Sequence, residues 1–500
     1  MRHRQAAGAA RHVTDRVCAR RVSEVGIVGK CSDSPGVDHD DDNSLHAGAV
    51  RVLPRAGTRL AYGVKVWGVM HYRAVVDQFA VTPALDPFSA ALFFAAFALA
   101  AILTARRAAY GLAALLLSMP FAFYHELAGT TVTLPKVVLL GVLAGLFVHA
   151  GAARVLRDPV VRAPLVAIAI YAAAIALSLT GAQFAGVTVR EIFKALEYLA
   201  VFATAAACYA ADPDDDLLVR AVAVIAAAAC ATALVQELAG APSGLCVGNV
   251  VIPRIAGVIE GPNQLAGFLE VCVAVLGAFA AVRSWRWLRW LLAIAAATVV
   301  LTFSRAGIGA TAAIALMLVL VQRRRARGAL TSLGAGAVAG LAGAAAWATG
   351  LHAAGAFRMT LESDCAGEVG SRAQLWRAAW DLWLRRPLFG NGAGNFELLL
   401  PQAGVYGVRT HANSWYLQTL AEGGLVWFAA TIGMLATLLT SLRRRLAASP
   451  WTLAAFAATV ALALHQIVDY LVFYTKVGEP WFALLGIGVA AATLPRKPAA

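Results

Sequence analysis

Five hundred residues with 60% hydrophobic and 14% charged side chains, at a mean hydropathy of +0.70, cannot coat several soluble domains, which run about 25% charged. The apolar residues fall in long blocks between short polar stretches, so a polytopic membrane chain is expected. The formal net charge of +14 sits in short clusters between those blocks, the distribution of membrane loops and not of a nucleic-acid surface, and seven cysteines with no CxxC and no Cys/His spacing give no expectation of a metal site.

Residues 1–87 hold 12 Lys/Arg, 9 Asp/Glu and the acidic run Asp40-Asp41-Asp42, with no apolar stretch long enough to span. This N-terminal extension is expected to be disordered. No apolar core follows its early arginines, so it does not read as a signal peptide. A start placed too far upstream, with translation beginning near Met70, is the alternative expectation.

From Phe88 onward, stretches of the length that a spanning helix needs, about 17–25 residues, lie at 88–104, 108–127, 137–153, 163–180, 191–210, 217–238, 264–282, 287–303, 306–322, 329–349, 424–441, 452–474 and 480–494. Only Arg106 and Arg107 separate the first two, which leaves twelve or thirteen spans. The expected fold class is all-α: a transmembrane bundle with ten candidate spans over 88–349, one large external loop over 350–423, and three spans with the C-terminus over 424–500. One set of short loops carries 17 basic residues and the opposite set only Lys136, Arg190, Arg254, Arg305 and Lys476. The positive-inside rule therefore puts the first set, the acidic loop Asp212–Asp216 and the C-terminus in the cytoplasm, and the loop 350–423 outside.

Within that loop Trp376, Trp380 and Trp383 recur at i, i+4 and i+7 with arginines nearby. They predict an amphipathic helix at the membrane surface, or equally a tryptophan face packed on the tops of the spans.

Polar residues at the outer ends of the spans are the candidates for chemistry. Arg254 and Gly257, followed by Gly261-Pro262-Asn263, read either as an anion-favouring helix start or as a capped helix beside an interfacial arginine. Arg305, in Thr302-Phe303-Ser304-Arg305, lies in a hinge facing outside. Its planar fork of donors favours a phosphate contact over snorkelling. The run Pro387-Leu388-Phe389-Gly390-Asn391-Gly392-Ala393-Gly394-Asn395-Phe396 lacks the Gly-Lys-Ser/Thr ending of a P-loop and reads as a tight loop shaping a cavity. His411, in Arg409-Thr410-His411-Ala412-Asn413-Ser414, is a candidate base able to take a hydroxyl proton near neutral pH, or a capping residue. His465 and Asp469, one turn apart, read as a pair; Glu270, and Lys194 between Glu191 and Glu197, read as interior-facing ion pairs or a proton-coupled pathway. Cys246 and Cys365, both on the outer side, are expected to form a disulfide.

Taken together, Arg254-x-x-Gly257 with Pro262-Asn263, Thr302-Phe303-Ser304-Arg305, Arg372 with Trp376, the glycine run 387–396 and Thr410-His411-Ala412-Asn413-Ser414 with Glu422-Gly423-Gly424 resemble the motifs of the O-antigen ligase and O-antigen polymerase family of bacterial inner-membrane glycosyltransferases. The resemblance runs in architecture from about Tyr110 to the C-terminus, and in specific motifs from Arg254 to Gly424. It departs at Ala306, where the family commonly has glycine. It implies a metal-independent transfer, without cofactor, of a glycan from undecaprenyl diphosphate to lipid A-core or a growing glycan, at the periplasmic face. On that carry-over His411 is the general base, Arg305 and Arg372 hold the donor diphosphate, and Arg254, Asn263 and Asn413 support them. Membrane lipids are the remaining partner. A transporter or flippase for a lipid-linked sugar or small anion, using Glu270, Lys194 and His465, is the alternative, although no internal repeat with paired broken helices accompanies it.

Overall fold

The computed structural model describes residues 87–121, 124–127, 130–239, 243–247, 250–259, 261–349 and 372–494. The expected extension before Pro87 and the first part of the external loop, 350–371, lie outside them. The expected all-α bundle is present, with a helix in each of the thirteen predicted stretches.

In chain order, helices α1 (Pro87–Arg106) and α2 (Ala108–Ser118) precede a small hairpin, β1 (Tyr124–Leu127) and β2 (Thr130–Thr133). Helices α3 (Leu134–Leu146), α4 (Pro159–Leu177), α5 (Ala185–Ala211) and α6 (Asp215–Ala239) follow. A second antiparallel hairpin, β3 (Ser243–Val247) and β4 (Val250–Arg254), leads to α7 (Pro262–Ala280), α8 (Arg286–Leu301), α9 (Arg305–Gln322) and α10 (Arg327–Thr349). Beyond residue 371 come α11 (Arg372–Arg385), the single turn α12 (Phe396–Leu399), α13 (Trp415–Arg443), α14 (Pro450–His465) and α15 (Thr475–Ala491). Among the described residues, eight helices are long and apolar enough to cross a membrane, and α2, α3 and α14 are shorter apolar helices.

Helices α7 and α15 form the centre, where side chains from Leu265 to Ala280 and from Lys476 to Ala491 are all buried. The indoles of Trp415, Trp427, Trp451 and Trp481 pack beside them. Around this centre Phe94, Leu99, Ile170, Leu316, Leu320 and Leu341 stay exposed, as lipid-facing positions do in a solvent as apolar as the side chains themselves. Polar residues fix where the helices begin. Asp158 accepts from Val160 N ahead of α4, and Ser304, Ser414 and Ser449 cap α9, α13 and α14, each satisfying an amide that the helix leaves open.

Three predicted spans are shorter than their hydropathy. The stretch 108–127 is an 11-residue helix followed by a strand, 137–153 stops as an α-helix at Leu146, and 452–474 stops as a helix at His465. At one end of the bundle Arg107 is forked onto Asp212 at 2.8 and 2.9 Å, and Arg283 meets Asp216 at 2.8 Å. The acidic loop thus lies with basic residues of the set that the charge rule groups together. The Arg107 guanidinium holds the Asp212 carboxyl below its usual range.

Candidate active site

The hairpin ending at Arg254 is followed by a turn held on α6: Gln236 Oε1 accepts from both Ala256 N and Gly257 N at 2.8 Å. The turn aims Arg254 across the bundle. Its Nε donates to the Thr302 carbonyl at 2.8 Å and a terminal nitrogen donates to Asn263 Oδ1 at 2.6 Å. Asn263 Nδ2 in turn donates to Asp469 Oδ2 at 2.6 Å. Arg254 and Asn263 are thereby bonded to each other and to the hinge that carries Arg305.

That hinge is the three residues Thr302, Phe303 and Ser304 between α8 and α9, with Phe303 at φ +52°, a left-handed conformation costly for a bulky side chain. It is braced from both sides. Arg254 holds the Thr302 carbonyl, while Ser304 Oγ lies 3.4 Å from His465 Nε2, whose Nδ1 is 2.5 Å from Glu270 Oε1. His465 is therefore paired with Glu270 and not with Asp469, because α14 ends at His465 and the next residues turn away. Lys194 pairs with Glu191 at 2.7 Å, and Glu197 is approached instead by Lys136 at 3.6 Å.

Arg305 opens α9 and Arg372 opens α11, and both are exposed. Burial lowers the pKa of Arg254, and the positive charges of Arg372 and Arg305 lower it further against the opposing pull of Asp469. Three predicted arginines thus share one electrostatic neighbourhood. Neither Arg305 nor Arg372 has an ion pair with a described residue.

Helix α11 buries Leu375, Ala378, Ala379 and Leu382 against the protein, while Trp380 is exposed and packs edge-on to Trp383 at 4.6 Å. The aliphatic face is the most deeply buried one, with Trp376 and Trp383 half-buried beside it. The glycine run then closes tightly onto its neighbours. Asn391 N and Gly392 N donate to the Ala421 and Glu422 carbonyls. A Cβ on Gly390, at φ +66°, would come within 2.3 Å of the Glu422 backbone. Gly424, at φ +62°, kinks α13 just past this contact.

His411 sits at the end of the loop that this clamp supports. Its backbone is tied through Ala412 N to Gln418 Oε1 at 2.7 Å, and Gln418 Nε2 donates to Glu422 Oε1 at 2.8 Å. Asn413, at φ +49°, takes the left-handed turn that asparagine tolerates and leads to the Ser414 cap. The imidazole is buried among Phe473, Tyr470 and Tyr474, with ring centroids at 4.0, 5.4 and 6.1 Å. Burial, helped by the positive charge of Lys194, pushes its pKa down to about 3. It is a neutral imidazole at physiological pH, in the form that accepts a proton.

The segment between α14 and α15 links the two halves of the site, since Asp469 holds Asn263 while Tyr470, Phe473 and Tyr474 surround His411. Lys194 Nζ donates to the Phe473 carbonyl at 3.0 Å and stands 3.9 Å from the Phe473 ring centroid. In the sequence Asp469 stands out only as a partner for His465, and the rest of this segment reads as the tail of a span. Gln418 and Glu397 have no motif signal of their own. Cys365 and the side chain of Cys246 lie outside the described residues, so the expected disulfide does too. Among the described residues no three His, Cys, Asp or Glu side chains gather in a metal-holding group.

Residues 290–432 match the family model described as O-antigen ligase (Wzy_C). The matched segment contains Arg305, Arg372, the glycine run, His411 and Asn413, while Arg254, Asn263, Lys194 and the segment Asp469–Tyr474 fall outside it. No curated protein matches the chain.

Proposed function

We propose that this chain, a multi-pass membrane protein carrying a domain of the O-antigen ligase family over residues 290–432, transfers a glycan from undecaprenyl diphosphate to a saccharide acceptor at the periplasmic face of the bacterial inner membrane. The observation that carries this reading is the pairing of an arginine cluster, Arg254, Arg305 and Arg372, with a neutral buried histidine, His411, on the two sides of the segment Asp469–Tyr474. Two exposed positive charges acting on a third, half-buried one create a place where an anion is favoured. The guanidinium fork matches phosphate oxygens.

In this reading Arg305 and Arg372 bind the donor diphosphate and stabilise the charge that develops as it leaves. Arg254, whose donors are engaged by Thr302 and Asn263, fixes the hinge beneath Arg305, and Asn413 shapes the turn that presents His411. His411 takes the proton of the acceptor hydroxyl as its oxygen attacks the anomeric carbon, and the sugar–phosphate bond breaks with its electron pair passing to the diphosphate. A positioned base contributes about 10²–10⁴ in rate. The diphosphate is already a good leaving group, so residues of the chain suffice without a metal or cofactor.

The intramembrane charges favour this reading over a transporter. Glu270, His465, Lys194 and Glu191 are engaged with one another or with backbone carbonyls, as in a braced site. A gel profile of surface lipopolysaccharide from a deletion strain tests the proposal. Complete loss of the O-antigen ladder identifies a ligase onto lipid A-core, and survival of a single capped repeat identifies a polymerase. An unchanged ladder with other surface glycans and glycoproteins also unchanged overturns the assignment.

A further inference from the structure

One ring nitrogen of His411 has no role in accepting the acceptor's proton. Its Nδ1 is buried with no hydrogen-bond partner, and Glu397 Oε1 lies 3.6 Å from it. The Glu397 side chain is the more accessible of the two, 31% exposed against 11% for His411. The spacing is fixed by a shared anchor. Glu422 Oε1 accepts from Phe396 N at 2.9 Å, which holds the turn carrying Glu397, and from Gln418 Nε2 at 2.8 Å, which holds the loop carrying His411. Phe396 and Leu399 are buried on either side of Glu397, so the turn is packed in place.

A base in this position becomes a cation when it works, and its surroundings oppose a cation. Burial disfavours the imidazolium, the Lys194 ammonium lies 3.9 Å from the centroid of the Phe473 ring on which the imidazole packs, and Tyr470 and Tyr474 present aromatic rings to it. Glu191 is engaged by Lys194 at 2.7 Å, and Glu422 is turned to Phe396 and Gln418. Among the described residues Glu397 is the carboxylate that faces the ring within 4 Å. Catalytic hydrogen bonds are commonly long before substrate is bound and tighten in the working complex.

We propose that Glu397 is the positioning residue of His411, the second member of a carboxylate–imidazole dyad. The inference rests on His411 being the base. Glu397 holds the proton on Nδ1, which leaves the Nε2 lone pair to face the acceptor, and it stabilises the imidazolium that forms. The acceptor's proton goes to Nε2, the oxygen–anomeric carbon bond forms, and the sugar–phosphate bond breaks with its electrons passing to the diphosphate. The imidazolium then returns a proton to solvent past the half-exposed carboxylate.

The test compares the full-length wild type, Glu397→Gln, Glu397→Asp and His411→Ala in lipid nanodiscs, with an undecaprenyl-diphosphate-linked glycan as donor and a purified glycan acceptor. For Glu397→Gln the expected result is a fall in kcat of about 10–10²-fold, a share of what a positioned base contributes. KM for both substrates and the thermal midpoint stay at wild-type values, and Glu397→Asp recovers part of the rate. A wild-type kcat in Glu397→Gln with an inactive His411→Ala overturns the dyad and leaves the base in place, whereas full activity in His411→Ala overturns both. Equal losses of rate and thermal midpoint in the Gln and Asp variants make Glu397 a folding residue and likewise overturn the proposal.

Discussion

Arg254 Nε donates to the carbonyl of Thr302 at 2.8 Å, and this single bond fastens the hairpin before α7 to the hinge from which Arg305 projects. The same guanidinium holds Asn263, which holds Asp469. Lysine is a single point of charge and cannot span the two acceptors as the fork does. Arg254→Lys is therefore expected to lower transfer about tenfold or more, since a hydrogen bond to a charged group contributes roughly 1.5–3 kcal/mol. The loss is expected in donor KM and kcat together, measured by transfer kinetics at matched protein levels. Wild-type kinetics in Arg254→Lys contradict the brace.

Arg305 and Arg372 separate binding from folding. Both are exposed and both disfavour the charge on Arg254. Removing either is expected to leave the thermal midpoint unchanged or raised, while transfer falls about 10²–10³-fold, the scale of losing one donor that stabilises developing charge. Thermal unfolding in detergent beside the transfer assay reads both quantities. A variant that loses stability in proportion to activity speaks against the donor-binding role.

The buried His411 makes stability depend on pH in a defined window. Its pKa falls from an ordinary value of 6.5 to about 3 in the folded protein, so between those values the unfolded chain binds the extra proton. The stabilisation is complete above about pH 6.5 and is lost as pH falls toward 3. The thermal midpoint of His411→Asn is expected to fall less steeply than wild type between pH 6.5 and 4. Parallel curves contradict the depressed value.

The glycine run is a packed joint and has a steric test. A methyl group on Gly390 meets the backbone of Glu422, which cannot swing aside, and φ is +66° there. Gly390→Ala is expected to cost about 1–3 kcal/mol, lowering the thermal midpoint and displacing the Glu422 anchor on which the His411 loop hangs. An unchanged midpoint shows that the joint gives way without cost.

Much of this architecture is legible from hydropathy, because α1, α4 to α7, α9, α10 and α13 each need about twenty apolar residues to bury their backbones in lipid. The end of α14 is not. Asp469 lies in an apolar aromatic run, yet the chain leaves the helix at His465, because Trp415 N claims the carbonyls of Gln466 and Asp469 and Asn263 claims the Asp469 carboxylate. Those partners are more than fifty residues away, and no local pattern announces them. The site divides in the same way. Arg254, Asn263, Arg305, Arg372, His411 and Asn413 stand in short motifs of glycine, asparagine and arginine, whereas Glu397, Gln418 and the Tyr470–Tyr474 rings acquire their roles only when four helices converge. Glu270 and His465, each legible as a costly charge in lipid, find one another only in the folded bundle.

His411 as the base of a glycan transfer is tested by complementation of a deletion strain with His411→Ala at matched expression and membrane insertion, reading the surface glycan on a gel. Wild type is expected to restore the glycan that the deletion removes and His411→Ala is not; restoration by His411→Ala to the wild-type level contradicts His411 as the base.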